Sequence, residues 1–427
     1  MLKQWIRKMI PESLINQYHL VLARLSAAIY QNPSERLIVI GVTGTNGKSS
    51  TVQFLGRLLE GCGATVGWTT TAGFKVADRE WENDQKMTML GRFQTQKLLK
   101  QMADAGCQYA IIETSSQGLV QNRHVGIHYD VAVFTNLTPE HIEAHGGFEA
   151  YKQAKGILFS TLASLPVKVL RGKPVEKLSI INGLDEHAAF FLSFQAGRPV
   201  VFGHNADRVT MNAQGTTFTM GATAFDFRLI GRYQFHNLLA AMTTAQALGF
   251  PLREMSEIVQ TMKPVAGRLE PIVEGQPFSV IVDYAPEPIA LQATYDALAL
   301  LHRKRLIHVL GSTGGGRDRS RRAVLGRMAA KQAQIVIVTN EDPYDDDPMS
   351  IINEIAEAAL EEGKEEEVTL FRRLDRQEAI NLAMTLAEPD DLVLLTGKGN
   401  EPVMAVAGGK KIPWDDRQAA RRAIRAL

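Results

Sequence analysis

The chain reads as an α/β protein. A central P-loop domain carries a parallel sheet with an antiparallel portion, and a smaller Rossmann-like domain follows at the C-terminal end. Three observations lead there. The apolar run Leu37-Ile38-Val39-Ile40 enters a glycine-rich turn, residues 41–49 reading Gly-Val-Thr-Gly-Thr-Asn-Gly-Lys-Ser, and a helical pattern (Val52, Leu55, Leu58, Leu59) follows. Strand-like runs then alternate with helical ones, the pattern of a parallel sheet with helices on its faces. A second glycine-rich turn, residues 311–316, follows a new apolar run at residues 306–310.

The elements are justified in chain order. In the first 36 residues, Trp5, Ile6, Met9 and Ile10 alternate with Lys3, Arg7 and Lys8, and residues 14–30 are helical and rich in Leu and Ala. The default expectation is helices packed on the nucleotide domain; the alternative is a basic amphipathic helix on a membrane surface. Residues 37–40, 65–68, 109–113 and 131–135 read as strands, with a helix at 95–105. Residues 167–232 carry short β-like runs (200–202, 216–220, 225–229) and are expected to be antiparallel; a helix at 237–248 follows. Strands at 306–310, 335–339 and 392–396 alternate with helices to the end. The expected domains are an N-terminal helical segment (1–36), a central nucleotide-binding domain (37–300) and a C-terminal domain (301–427).

The bulk composition narrows the function classes. Over 427 residues the net charge is +1, so there is no electrostatic case for a nucleic-acid partner. Cys62 and Cys107 form no zinc or disulfide pattern. No signal peptide and no bilayer-spanning apolar run is legible, so a cytoplasmic protein is expected.

The first turn fits a phosphate cradle. Gly44 and Gly47 let backbone N–H groups converge on phosphate oxygens, with Thr45 and Asn46 between them. Lys48 adds a point charge, and the Ser49 hydroxyl suits Mg²⁺. The turn departs from the general P-loop pattern in having Val42 five positions before Gly47. The run at 109–113 ends in Glu113, a carboxylate at a strand's C-terminal end, where such folds place Mg²⁺. His141 follows the next strand, and Lys155 lies 14 residues later on a helical pattern. The second glycine-rich turn lacks the acidic residue that a dinucleotide site needs beyond a second strand.

Several short motifs then occur in one order. They are Gly44-Thr45-Asn46-Gly47-Lys48-Ser49, Glu113-Thr114-Ser115-Ser116-Gln117-Gly118-Leu119, Phe134-Thr135-Asn136-Leu137, Glu140-His141 with His145-Gly146, and Ala154-Lys155. Gly267-Arg268-Leu269-Glu270, Asp283-Tyr284-Ala285 and Gly397-Lys398-Gly399-Asn400-Glu401 continue the series. Together they resemble the Mur ligase family, ATP-dependent amide ligases of peptidoglycan precursor synthesis, in particular the branch adding the third residue of the stem peptide.

The resemblance implies roles. Lys48 would hold the β/γ-phosphates of ATP; Ser49, Glu113 and His141 would hold Mg²⁺; and Lys155 would react with CO₂ to give a carbamate. Asn237 would pack the adenine, and Arg268 and Asp283 would contact phosphate and ribose. Thr88, Ser115, Gln121 and Arg123 would face a muramoyl-peptide acceptor, and Arg317, Asp342 and Glu401 the incoming amino acid. The acceptor's carboxylate would be phosphorylated by ATP and then attacked by the amine, with closure of the last domain gating the step. The partners implied are small molecules.

Four departures accompany the resemblance. Only 36 residues precede the first strand, so the family's separate UDP-gripping domain is expected to be missing or rebuilt. The family's Asp-Tyr-Ala-His is Asp283-Tyr284-Ala285-Pro286, and its Gly-Lys-Gly-His-Glu has Asn400. Where diaminopimelate-adding members read Asp-Asn-Pro-Arg, this chain reads Glu341-Asp342-Pro343-Tyr344. Tyrosine cannot clamp a carboxylate as arginine does. With Asp345, Asp346 and Asp347 beside it, the loop is expected to favour a lysine-like amino acid over meso-diaminopimelate. Two other classes stay open: a related ligase with a non-UDP-linked acceptor (a lipid-linked muropeptide, a folate-type or a cyanophycin-type chain), and an ATP-binding module without catalysis. The set Lys48, Glu113, His141 and Lys155 argues against the last.

Overall fold

A computed structural model describes residues 12–85, 87–139, 145–316 and 318–427. The expectations for His141 and Arg317 lie outside the described residues. The chain divides into two compact units: Met1–Val209, Thr217–Phe227 and Gln234–Met262 form the first, and Thr210–Thr216, Arg228–Tyr233 and Lys263–Leu427 the second.

Helix α1 (Glu12–Ile29) buries Ala23, Ser26 and Ala27. Strand β1 (Ile38–Thr43) leads through the glycine-rich turn into α2 (Lys48–Gly61). Next come β2 (Val66–Thr69), β3 (Gly73–Val76), β4 (Arg79–Glu82), α3 (Arg92–Asp104) and β5 (Tyr109–Glu113). The short α4 (Ser116–Val120), β6 (Val131–Phe134) and α5 (Phe148–Ser164) follow. A two-strand ribbon, β7 (Val169–Leu170) and β8 (Lys173–Pro174), precedes β9 (Leu178–Asn182), α6 (Ala188–Leu192) and β10 (Arg198–Phe202).

Strands β10-β9-β6-β1-β5-β2-β3-β4 form one sheet in that order. It is parallel from β10 to β2 and antiparallel at the β3 and β4 edge. The run Val200–Phe202, expected to be antiparallel, instead pairs parallel with Ile180–Asn182. Strands β1, β5, β6 and β9 are apolar almost throughout because helices cover both faces.

A small three-stranded sheet, β11 (Asp207–Asn212), β12 (Gly215–Met220) and β13 (Thr223–Phe227), precedes α7 (Arg232–Ala247) and α8 (Leu252–Gln260). The second unit then adds β14 (Glu270–Pro271), β15 (Ser279–Asp283), α9 (Pro288–Leu298), β16 (Leu306–Leu310), α10 (Arg321–Gln332), β17 (Ile335–Thr339) and α11 (Pro348–Glu361). Strand β18 (Leu370–Arg373), α12 (Arg376–Leu386), β19 (Leu392–Thr396), the hairpin β20 (Val403–Val406) and β21 (Lys410–Pro413), and α13 (Asp416–Arg425) complete it. Its sheet order is β14-β15-β19-β16-β17-β18, parallel except for β14.

Candidate active site

The first cluster forms where β1 meets α2. Gly44 has φ +152°, and a Cβ there would stand 1.9 Å from Thr135 Oγ1. Gly47 has φ +80°, and its Cβ would stand 2.1 Å from Asn237 Oδ1. Only glycine fits either position, so the turn packs tightly on β6 and α7. Asn136 pins the turn: its carbonyl accepts from Thr45 N at 2.8 Å and its Oδ1 from Asn46 N at 2.8 Å. Its amide donates back to Asn46 O at 3.0 Å. Lys48 Nζ donates to Thr45 O at 2.7 Å, folded over the turn it caps.

Register places the carboxylate. Glu113 pairs with Val42 across β5 and β1, so the strand ends beside the turn. Glu113 is 2% exposed and accepts from Ser49 Oγ at 2.7 Å and Thr71 N at 2.7 Å. The Thr71 hydroxyl links Glu113 (3.1 Å) to Thr88 (3.0 Å). Among the described residues no group of three or more His, Cys, Asp or Glu gathers as a metal site. The donors gathered here are hydroxyls and one carboxylate. Such hard oxygens suit Mg²⁺, which keeps most of its positions for phosphate oxygens and water.

Helix α5 supplies the third part. Tyr151, Lys155, Leu158 and Leu162 lie on one buried stripe at helical spacing. Lys155, 2% exposed, donates from Nζ to Gly44 O at 2.6 Å and sits 4.3 Å from the Tyr151 ring centre. The Tyr151 hydroxyl reaches Thr45 Oγ1 at 3.2 Å. His145 closes the cluster, with Nε2 3.1 Å from Ser116 Oγ and its ring 5.2 Å from Tyr151. Burial, and then the charge of Lys155, lower the pKa of His145. The structure thus brings together Gly44, Thr45, Asn46, Gly47, Lys48, Ser49, Glu113, Lys155, Thr88 and Asn237.

Sequence reasoning missed Thr71 and Tyr151 and gave His145 no role. Thr71 lies 42 residues from Glu113, Tyr151 106 from Thr45 and His145 29 from Ser116, separations over which no sequence spacing links the pair.

Three of the residues read as facing the acceptor, Ser115, Gln121 and Arg123, follow β5. Ser115 caps α4 by accepting from Gly118 N at 3.1 Å. Gln121 Oε1 accepts from Arg123 Nε at 3.0 Å, and Arg123 also donates to the Met89 carbonyl. Burial lowers the Arg123 pKa.

In the second unit, Asp283 ends β15 and is engaged by Thr294 Oγ1 at 2.5 Å, Tyr284 N at 2.9 Å and Leu269 N at 3.2 Å. Burial raises its pKa against those donors. The Arg268 guanidinium lies 4.2 Å over the Tyr284 ring. Lys398, fully buried, binds Asp342 at 2.9 and 3.0 Å, Glu401 at 2.6 Å and the Val403 carbonyl at 2.9 Å.

The acidic loop departs from its expectation. Glu341 is buried and takes the Thr313 hydroxyl at 2.5 Å; burial raises its pKa. Asp342 binds Lys398, Asp345 accepts from Gly408 N, Asp346 faces Arg322, and Asp347 caps α11. These carboxylates hold the loop's own fold, so their number is no argument for a cationic substrate. Tyr344 remains: its ring lies against Gly315, where a Cβ would come within 2.7 Å.

Comparisons with known proteins agree with this geometry. Residues 42–245 match the Mur ligase middle domain, and residues 267–399 the Mur ligase, glutamate ligase domain. A UDP-N-acetylmuramyl-tripeptide synthetase of Roseiflexus sp. (strain RS-1) is 38% identical, over 98% of this chain and 84% of that protein. A UDP-N-acetylmuramoyl-L-alanyl-D-glutamate--2,6-diaminopimelate ligase of Geobacillus kaustophilus (strain HTA426) is 34% identical, over 97% of this chain and 84% of that protein. A solved structure of a ligase with the latter name superposes with a TM-score of 0.60 at 29% identity, covering 91% of this chain and 78% of that one. With both domains matched in order, and with a parallel-sheet P-loop unit and a second, mostly parallel sheet as its fold, the chain belongs to the Mur ligase family.

Proposed function

We propose that this protein joins an amino acid to the carboxylate of a muramoyl-peptide acceptor in the cytoplasm, using ATP and releasing ADP and phosphate. The observation that carries this is the pairing of Ser49 with Glu113 at 2.7 Å beside a glycine turn that admits no Cβ. In this reading the γ-phosphoryl group passes to an acceptor carboxylate oxygen, giving an acyl phosphate. The amine then attacks the acyl carbon, and phosphate leaves with that oxygen.

The turn's N–H groups and Lys48 hold the triphosphate. Ser49, Glu113 and His141 are the residues that would hold Mg²⁺, which supplies charge neutralisation when bound. Carbamylation of Lys155 would replace its ammonium by a carboxylate-like oxygen pair. The carbamate nitrogen would keep one N–H with which to donate to Gly44 O. Arg123 and Gln121 would meet the acceptor; Arg317, Asp342 and Glu401 would meet the amino acid.

The test is ADP formation with muramoyl dipeptide, UDP-linked and UDP-free, paired with lysine, meso-diaminopimelate or a neutral amino acid. Sustained ADP formation, beyond one equivalent of enzyme, is expected only when an acceptor and an amino acid are both present. No ADP with any pair overturns the ligase reading. Lysine is expected to exceed meso-diaminopimelate in kcat/KM, because Tyr344 stands at the clamp position. The reverse order overturns the reading of Tyr344 alone.

A further inference from the structure

Two arginines of the first unit converge on one residue. Gln121 caps the end of α4; its carbonyl accepts from Arg92 Nη2, and its Oε1 accepts from Arg123 Nε at 3.0 Å and Nη2 at 2.6 Å. Arg92 begins α3, so a single glutamine holds guanidiniums from two parts of the chain. Both side chains are half-buried, which leaves their remaining N–H groups within reach of a ligand.

No carboxylate neutralises the pair. Among the described residues neither arginine forms an ion pair, and Arg92 Nε is buried without a hydrogen-bond partner. Burial, and then the charge of Arg123, lower the Arg92 pKa. Two partly desolvated cations side by side repel each other. The fully buried Arg376 shows the compensated arrangement: Asp416 accepts from its Nε at 2.8 Å and its Nη2 at 2.7 Å. The first turn of α3 has no acidic residue either, so the helix dipole adds to the positive field.

The pair adjoins the phosphate site through hydrogen bonds. Arg123 donates to the carbonyl of Met89, whose neighbour Thr88 is tied through Thr71 to Glu113. Ser115 and Gln121 cap the two ends of α4, a helical rise of about 9 Å. An acceptor whose reacting carboxylate lies at the Glu113 end therefore brings a different group to the arginines. Their forked N–H donors suit an oxyanion, carboxylate or phosphate.

We propose that Arg92 and Arg123 together bind a second oxyanion of the acceptor, one that takes no part in the reaction. This rests on the reading that Gln121 and Arg123 meet a muramoyl-peptide acceptor, and it makes Arg92 a specificity-determining residue. Two groups of such an acceptor have this chemistry: the second carboxylate of a terminal glutamate, and the diphosphate of a UDP-linked form.

The experiment titrates the full chain, parent and Arg92→Gln, with muramoyl-alanyl-glutamate and with its analogue carrying the non-reacting carboxylate as the amide, each with and without UDP. Binding is the readout and needs no turnover, so it is independent of the ADP assay. In the parent, acceptors with the recognised oxyanion should bind about tenfold tighter than those without it. Arg92→Gln should erase that difference, and Arg92→Lys, which keeps the charge and loses the fork, should keep part of it. A difference that follows the carboxylate identifies the peptide as its source; one that follows UDP identifies the diphosphate. A melting curve checks the fold of each variant. Equal weakening of all four acceptors by Arg92→Gln would make Arg92 a structural support for Gln121 and overturn the proposal. So would unchanged discrimination in that variant, equal binding of all four by the parent, or no acceptor binding by the parent.

Discussion

Lys155 keeps 2% of its surface and points at the backbone of the phosphate turn. A buried ammonium is costly unless the site uses its charge or replaces it. A structural lysine would serve by holding Gly44 O; a carbamylated one would add two oxygens next to the phosphate turn. The two roles separate in Lys155→Ala. Ligation is expected to fall at least a hundredfold, with ATP binding retained and partial recovery on adding short-chain carboxylates. Turnover is the readout, with a melting curve as the fold control. Normal turnover in this variant would remove Lys155 from the chemistry, and a loss that no carboxylate restores would leave it a structural strut.

At the scale of elements, the parallel strands were legible because burial on both faces makes them continuous apolar runs. Residues 109–113, 306–310, 335–339 and 392–396 are strands with the bounds read from sequence. The antiparallel edge was not legible, because charges interrupt it. Lys75 on β3 is nearly buried, bound to Glu60 at 2.9 Å and lying 5.2 Å from the Trp68 ring centre. No apolar alternation survives that arrangement. The phosphate turn was legible from its glycines, whereas the contacts that Asn136 and Tyr151 make to it, and that Thr71 makes to Glu113, follow only from strand register and helix phase. The acidic loop was misjudged because composition does not show which carboxylates act as caps.

Strand β16 carries an element-scale consequence. His308 is fully buried between Tyr295 Oη at 2.8 Å and Thr396 Oγ1 at 2.9 Å. Burial, reinforced by Arg376, lowers its pKa from 6.5 to about 3. The unfolded chain therefore takes up a proton below pH 6.5 that the folded chain refuses until about pH 3. Stability is undiminished above that window and falls as pH drops through it. Between pH 7 and pH 5 this group alone should cost about 2 kcal/mol. Urea unfolding at the two pH values, compared with His308→Gln, measures it. The variant should lose less stability on acidification than the parent, and an equal loss would contradict the assignment.

For the whole molecule, the family and the order of its motifs were legible from sequence, because several motifs, the phosphate turn after β1 and Glu113 at the end of β5 among them, sit at strand ends or helix starts where the backbone needs that residue type. The substrates are a matter of chemistry, and the acyl phosphate is the central claim. The most direct measurement uses acceptor with ¹⁸O in the reacting carboxylate. Ligation is run with ATP, Mg²⁺ and the preferred amino acid, and the released phosphate is examined by mass spectrometry. One ¹⁸O per phosphate, with ADP as the nucleotide product, is the expected result. Phosphate without ¹⁸O, or AMP and pyrophosphate in place of ADP and phosphate, would contradict it.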